Sequence, residues 1–287
     1  MIDLHTHSNA SDGSLSPEEL IRAAAAAGLT ALALTDHDTI DGLEPAKREA
    51  AIRGIRFIPG IELEIAWEGG EHHLGEFHLL GLGIHRPSGA FLDAVADLVL
   101  RREARNREIL KKMRALDIRA EYEELRALSG GGSIGRPHFA ALLVKRGIVR
   151  DQGQAFTSYL GQGKPLYVPK QGLDLRHALT VIKESGGIAV LAHPMSLYVA
   201  WGRFPALIQN LASQGLDGIE AWHPTVTVRM AERIEELGRS LGLFITGGSD
   251  FHGEAGPDRK LGISAGGRAL DEAILNAIPD LTIELHR

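Results

Sequence analysis

Short runs of apolar residues recur along the chain, and each is followed by a polar cluster and then by a stretch with helical periodicity. Six of these runs, at residues 2–4, 31–35, 57–61, 188–192, 218–221 and 243–246, are almost wholly apolar. Such runs are typical of strands that are buried on both faces of a parallel sheet. The alternation of strand and helix therefore predicts an α/β fold, with the sheet closed into a (β/α) barrel or a barrel-like form.

Helix boundary signals support this alternation. Ser16 is suited to cap a helix that begins at Pro17, and Glu19 completes a capping box with it. The alanine-rich stretch that follows ends at Gly28, a residue type that favours helix C-termini. Residues 174–186 and 225–242 follow the same plan.

The rhythm changes between residues 91 and 164. Helical periodicity continues there without any buried strand run, and residues 130–132 form a flexible glycine triplet. We predict that residues 91–164 form a helical insertion that caps the substrate site. The insertion would separate a first part of the barrel, residues 1–90, from a second part, residues 165–287.

The composition excludes several classes of function. The 31 basic and 37 acidic residues give a net charge of −6, which argues against a grip on duplex DNA. The absence of cysteine excludes disulfides, thiolate metal sites and cysteine nucleophiles. No apolar run approaches the roughly 20 residues of a membrane span, and we expect no targeting leader ahead of the first strand. We therefore expect a cytoplasmic protein without a membrane partner.

The 13 histidines are the unusual feature of the composition, and several of them follow predicted strands. His5 and His7 are two residues apart at the end of the first strand, so their side chains point to the same face. Polar residues follow the other strands in the same way: Asp36, His37, Glu62, His193, His223, Asp250 and His252. Barrel enzymes place their catalytic groups at this shared mouth. Imidazole and carboxylate ligands suit Mn²⁺, Zn²⁺, Fe²⁺ or similar divalent ions, so we predict a polynuclear metal centre.

The motifs around these residues resemble, in their order, those of the PHP (polymerase and histidinol phosphatase) domain phosphoesterases. They are Asp3-Leu4-His5-Thr6-His7, Ser11-Asp12-Gly13, Thr35-Asp36-His37-Asp38, Pro59-Gly60-Ile61-Glu62, Ala192-His193-Pro194 and Gly248-Ser249-Asp250-Phe251-His252. The resemblance implies a distorted seven-stranded (β/α) barrel with two or three divalent metals per chain. Mn²⁺ is the expected metal, and Zn²⁺, Fe²⁺ and Mg²⁺ are the alternatives.

The resemblance also implies a ligand set for each metal. One metal would take His5, His7, Glu62 and Asp250, and Glu62 would bridge to a second metal. The second metal would add His78 and His193, and the third would take Asp12, His37 and His252. Asp12 stands where many members of the family have histidine.

His78 is preferred as a ligand over the nearby His72 and His73. Residues 77–82 are apolar enough to form a strand that would carry His78 to the metal centre. Residues 71–73 lie beside two glycines, a composition typical of a hairpin tip. The resemblance to the PHP family favours the same choice.

The predicted centre suits a phosphate ester as substrate. Three divalent ions with the carboxylates of Asp12, Glu62 and Asp250 would carry a net charge of about +3. We predict hydrolysis by a metal-bound water or hydroxide, because the metal lowers the pKa of that water. Asp36 and His223 are predicted catalytic groups at the same mouth. His223 would protonate the leaving oxygen or hold a phosphate, or else support a metal ligand.

The predicted insertion has a cationic face of its own. In the helix that begins near residue 92, Arg102, Arg105 and Asn106 interrupt an apolar stripe. Charged side chains on an inward face need a partner, so we predict that they bind an anion over the barrel mouth. The alternative is that this face of the helix is turned to solvent. A second predicted phosphate site is Gly135-Arg136-Pro137-His138, at the start of another helix.

The predicted substrate-binding residues are Asp12, His37, Arg102, Arg105, Asn106, Gly135, Arg136 and His138. A Gly-Arg-Pro-His segment inside an insertion resembles the PHP proteins that act on nucleoside 3′,5′-bisphosphates, some of which trim short RNA from its 5′ end. We expect a phosphatase that removes the 3′-phosphate of a bisphosphate such as adenosine 3′,5′-bisphosphate (pAp). The arginines of the insertion would bind the second phosphate of such a substrate.

Four alternatives stay open. They are a 5′→3′ exoribonuclease on short 5′-phosphorylated RNA, a histidinol phosphatase, a metal-dependent amidohydrolase and a non-catalytic PHP scaffold. A single phosphate would leave the insertion arginines unused, and a silent scaffold has no need for nine ligands. The expected partner is therefore a small nucleotide or short RNA, and neither duplex DNA nor a membrane.

Overall fold

The computed structural model describes residues 1–66, 75–130, 132–253, 259–278 and 281. Within these residues, seven strands form one sheet in which the strands are ordered as in the sequence. They are β1 (Ile2–Asp3), β2 (Ala31–Leu34), β3 (Arg56–Glu64), β4 (His78–Leu82), β5 (Ile188–Leu191), β6 (Gly218–Trp222) and β7 (Phe244–Gly247). Every predicted apolar run overlaps a strand, and the predicted α/β class is confirmed.

The sheet is nearly closed into a barrel. The first and last strands meet where the N–H of Leu4 donates to the carbonyl of Gly247 (3.3 Å) and the N–H of Asp250 donates to that of His5 (2.8 Å). The prediction of a parallel sheet is wrong for β4, which runs antiparallel to both β3 and β5. A parallel pair needs a long crossover, usually a helix, and no helix is described between β3 and β4.

Helices surround the barrel, and several consecutive helices lie between β4 and β5 in the sequence. The described α-helices are α1 (Pro17–Ala26), α2 (Leu43–Arg53), α3 (Gly89–Ala115), α4 (Tyr122–Leu128), α5 (Arg136–Lys145), α6 (Gln152–Ala155), α7 (Leu175–Glu184), α8 (Phe204–Ser213), α9 (Val228–Ser240) and α10 (Glu272–Asn276). A π-helical turn, Phe156–Leu160, follows α6. The predicted capping box of α1 is present, since Ser16 Oγ accepts from the N–H of Glu19 (3.2 Å) and the Glu19 carboxylate accepts from that of Ser16 (2.8 Å).

The long helix α3 joins two hydrophobic cores. Its first half places Phe91 and Leu98 in the core beneath the barrel helices. Its second half places Ile109 and Met113 in a separate core that includes Phe139 of α5. Residues 91–164 are thus mainly helical, while the division of the chain at residues 90 and 164 stays a prediction. In the described part of the chain, no helix is long and apolar enough to cross a membrane.

Candidate metal centre and substrate cavities

The structure brings all nine predicted metal ligands to one end of the barrel. His5, His7, Glu62 and Asp250 meet around one point. The Nε2 atoms of His5 and His7 lie 3.1 Å apart, and each is 3.2 to 3.4 Å from Glu62 Oε2 and Asp250 Oδ1. Two ligands that are each about 2.1 Å from a shared ion are themselves separated by roughly 3.0 to 3.4 Å. The four side chains therefore fit one divalent ion.

Glu62 turns its other oxygen toward a second group. Oε1 of Glu62 lies 2.8 Å from Nδ1 of His78 and 2.9 Å from Nε2 of His193, and these two nitrogens are 3.2 Å apart. Because β4 is antiparallel, His78 reaches this end of the barrel from the first residue of its strand. Glu62 thus faces a different histidine pair with each oxygen, the arrangement of a bridging ligand. The rejected alternatives His72 and His73 lie outside the described residues.

Asp12 and His252 form a third group, to which His7 and His37 also belong. Asp12 Oδ1 lies 3.2 Å from His252 Nε2, and Asp12 Oδ2 lies 3.9 Å from His37 Nε2. The other ring nitrogen of His37, Nδ1, is 3.0 Å from Glu62 Oε2, so His37 lies between two of the groups. The assignment of each ligand to a particular ion stays a prediction.

Two carboxylates that were not predicted from the sequence orient the histidines. Glu220 Oε1 lies 3.1 Å from Nδ1 of His5, and Glu220 Oε2 accepts from the backbone N–H of His193 (2.6 Å). Glu64 Oε2 lies 2.8 Å from Nε2 of His78. Such partners fix which ring nitrogen faces the metal. A glutamate inside the apolar run 218–221 is itself a sequence signal for a buried partner.

The carboxylates of the centre raise the pKa values of His7 and His78. Burial opposes the charged form of His78, but Glu62 and Glu64 outweigh it and raise its pKa to about 10. For His7, Asp250 and Glu62 likewise outweigh burial and raise the pKa to about 9. Burial lowers the pKa of His37 to about 4, against the opposing charges of Glu62 and Asp12. A divalent ion held by His7 and His78 would therefore displace protons from them.

The two predicted catalytic groups, Asp36 and His223, lie beside the centre and are held by hydrogen bonds. Asp36 accepts hydrogen bonds from the N–H (2.8 Å) and Oγ (2.6 Å) of Ser8 and from Oγ of Ser11 (2.6 Å), and so holds the loop that carries Asp12. His223 is only 1% exposed, and its ring nitrogens lie 3.3 Å from Asp250 Oδ2 and 2.7 Å from Thr225 Oγ1. Neither residue is among those that line the two cavities at the mouth, and the catalytic roles predicted for Asp36 and His223 stay predictions.

Two cavities open beside the centre and share part of their walls. We call the larger one, of about 670 Å³, the metal chamber; its walls include Glu62, His193, Asp250, His252 and Arg259. We call the smaller one, of about 310 Å³, the arginine chamber; its walls include Arg101, Arg102, Arg105, Arg136 and Lys170. Both chambers are bordered by Asp12, His37, Glu76, His78, Pro137 and Phe156. The two chambers are therefore adjacent, and both border predicted metal ligands.

Most cations of the arginine chamber already have an acidic partner. The pairs are Arg101–Asp97, Arg102–Asp38, Arg136–Glu76 and Lys170–Glu64. Arg105 differs, because it has no ion pair with any described residue and its Nε is buried without a hydrogen-bond partner there. Burial, together with the charges of Arg136 and Arg102, lowers the pKa of Arg105 to about 10. Among the described cations that line this chamber, Arg105 is thus the one without an ion-pair partner.

Some of the remaining predicted substrate residues line the chambers, and others form hydrogen bonds with backbone groups. Asn106 Nδ2 donates to the carbonyl of Ile134 (2.8 Å), and the N–H of Gly135 donates to His138 Nδ1 (3.0 Å). Arg102 also donates to Ser133 Oγ (2.6 Å) and so ties α3 to the loop before α5. Arg102, Arg105, Gly135 and Arg136 line the arginine chamber, His138 lines the metal chamber, Asp12 and His37 line both, and Asn106 lines neither.

Comparisons with known proteins agree with this architecture. The model of the PHP domain matches residues 3–162. The chain is 36% identical over 250 residues to a 5′-3′ exoribonuclease of Haemophilus influenzae, covering 87% of this chain and 89% of that protein. It is 36% identical over 260 residues to a 3′,5′-nucleoside bisphosphate phosphatase of Chromobacterium violaceum, covering 90% of each. A structure assigned as a metal-dependent phosphoesterase, from Bifidobacterium adolescentis, matches 99% of this chain and 97% of its own, with a TM-score of 0.84 and 25% identity.

The barrel, its histidine and carboxylate centre and these similarities define a metal-dependent phosphoesterase. The chain belongs to the PHP-domain family.

Proposed function

We propose that the protein removes the 3′-phosphate from nucleoside 3′,5′-bisphosphates such as pAp and releases a nucleoside 5′-monophosphate. Arg105 is the observation that carries this proposal. Its guanidinium has no ion pair with any described residue, and it lines a chamber that shares Asp12, His37 and His78 with the metal chamber. A ligand with two phosphates would place the scissile one at the metals and the other at Arg105.

The residues of the centre fit two or three divalent ions, with Mn²⁺ as the expected metal. Bound there, these ions would lower the pKa of water and offset the charge that develops on the phosphoryl oxygens. Glu62 would hold two of them, while Glu220 and Glu64 keep His5 and His78 in the required orientation. The surrounding carboxylates would be neutralised, which leaves the site attractive to a phosphate dianion.

The C. violaceum relative, a 3′,5′-nucleoside bisphosphate phosphatase, supports this substrate class. The H. influenzae relative, an exoribonuclease, is equally similar in sequence and supports a second candidate, 5′→3′ trimming of short 5′-phosphorylated RNA. The metal chamber, at about 670 Å³, is larger than a phosphate needs and favours a substrate that extends beyond one phosphate. The proposal keeps the cytoplasmic location expected from the sequence.

Phosphate release from a panel of substrates tests the proposal. The panel comprises pAp, 3′-AMP, 5′-AMP, histidinol phosphate and a short 5′-phosphorylated RNA, each with added Mn²⁺. We expect the highest kcat/KM for pAp, with 5′-AMP as its nucleotide product. A preference for the RNA would favour the exoribonuclease, a preference for histidinol phosphate would overturn both, and no turnover would favour a scaffold.

A further inference from the structure

Arg259 is a cation that the roles described so far do not use. Among the described residues that line the metal chamber, it is the single lysine or arginine. The cations contributed by the insertion line the other chamber. Among the described residues, the metal chamber thus has one guanidinium, that of Arg259, whereas the arginine chamber has several, of which Arg105 is the one without an ion pair.

Contacts with Asp250 hold Arg259 in place. Its Nη1 donates to the backbone carbonyl of Asp250 (2.8 Å) and also pairs with Oδ2 of the same residue. The other carboxylate oxygen, Oδ1, is the one that faces His5 and His7, at 3.4 and 3.2 Å. Arg259 therefore lies beside the candidate metal centre and leaves free the oxygen that faces His5 and His7.

The guanidinium of Arg259 has two further donor groups, Nε and Nη2. Nε and Nη2 have no hydrogen-bond partner among the described residues, and the side chain is 27% exposed. Arginine presents its donors as a planar fork that matches two oxygens of a phosphate. A phosphate held at the metal centre would lie beside this fork, because Arg259 contacts Asp250.

We propose that Arg259 is a catalytic residue that binds the scissile phosphate, while Arg105 binds the phosphate that is retained. The inference rests on the proposed function. In the reaction, a water oxygen forms a bond to phosphorus while the bond from phosphorus to the ribose 3′-oxygen breaks. The 3′-oxygen leaves with the electron pair and gains a proton, which the water supplies overall. Arg259 forms no covalent bond, and its charge-assisted hydrogen bonds offset the charge on the phosphoryl oxygens.

A structural role for Arg259 would give different results. If Arg259 only positioned Asp250, its loss would weaken metal binding first, and excess metal would restore activity. If it contacts the phosphate, metal content is unaffected and the loss appears in turnover. The loss of turnover must then be the same for every substrate that carries the scissile phosphate, whether or not a second phosphate is present.

The experiment compares Arg259→Ala and Arg259→Lys with the wild type and with Arg239→Ala, an exposed arginine that pairs with Glu235 on α9. For each we would measure Mn²⁺ equivalents, inorganic phosphate binding by calorimetry, and kcat and KM for pAp and 3′-AMP. Arg259→Ala should lower kcat by about 10- to 150-fold for both substrates, weaken phosphate binding and leave Mn²⁺ content unchanged. Added guanidinium should restore part of the lost turnover, and Arg239→Ala should match the wild type.

Three results would overturn the inference: unchanged turnover in Arg259→Ala, activity restored by excess Mn²⁺, or a loss confined to pAp. The Lys variant guards against misfolding, because it keeps the charge and should retain more activity than the Ala variant. Failure of the proposed function is recognised separately. If the wild type prefers 5′-phosphorylated RNA to pAp, the bisphosphate proposal fails, while an equal loss on that RNA in Arg259→Ala still supports the role of Arg259.

Discussion

Oε2 of Glu62 lies 3.3 Å from Nε2 of His7 in the interior of the barrel mouth. Within the described chain, this oxygen and the second ring nitrogen of His7, Nδ1, are both buried without a hydrogen-bond partner. Leaving a buried polar atom unpaired costs about 1–3 kcal/mol. Nδ1 of His7 faces Asp12, and Oε2 of Glu62 faces His5 and His37. Cations at these points would satisfy both atoms.

Metal binding should therefore stabilise the fold. We expect the Tm of chelator-treated protein to rise with Mn²⁺ concentration, because a ligand that binds only the folded state adds about 2.7 kcal/mol at 100 times its Kd. Scanning calorimetry across a range of Mn²⁺ concentrations measures the shift. A Tm that does not depend on Mn²⁺ would show that these atoms are not metal ligands.

Glu62→Ala should lose more than one metal equivalent and nearly all turnover, because each oxygen of Glu62 faces a different histidine pair. Metal analysis of the purified variant beside the wild type measures this loss. Glu44→Ala, on the exposed side of α2, is the control and should keep the full metal content. At most one bound ion in active wild-type protein would rule out the bridging role.

Glu220→Ala should weaken metal binding by about 10- to 100-fold, because His5 would lose the partner that fixes its ring orientation. Calorimetric titration with Mn²⁺ measures the affinity. Glu220→Gln should recover part of it, since the amide oxygen still accepts a hydrogen bond from Nδ1 of His5. An unchanged Mn²⁺ affinity in both variants would mean that Glu220 serves the backbone of His193 alone.

The strands were predictable from the sequence, but the direction of one of them was not. An apolar run such as 77–82 indicates burial and carries no information about strand direction. The histidines and carboxylates could be placed together from the sequence, because they follow predicted strands and strand ends share the mouth of a barrel. His78 is the instructive case, because it joins the centre from the start of an antiparallel strand.

The details of the cationic residues could not be predicted in the same way. Arg102 and Arg105 interrupt the same apolar stripe of α3, so the sequence pattern predicts the same anion-binding role for both. In the fold, Asp38 faces Arg102, whereas no described acidic residue pairs with Arg105. Lys170 and Arg259 have no periodic or motif signal, and only the closed barrel brings them to the site.

The ratio of kcat/KM for pAp to kcat/KM for 3′-AMP, compared between the wild type and Arg105→Ala, tests the central claim most directly. A charge-assisted contact contributes about 1.5–3 kcal/mol, so the ratio should fall by roughly 10- to 150-fold in Arg105→Ala, with Mn²⁺ content unchanged. Arg107→Ala, an exposed arginine on the same helix, should keep the wild-type ratio. An unchanged ratio in Arg105→Ala would contradict the account, because the second phosphate would then not be bound in the arginine chamber.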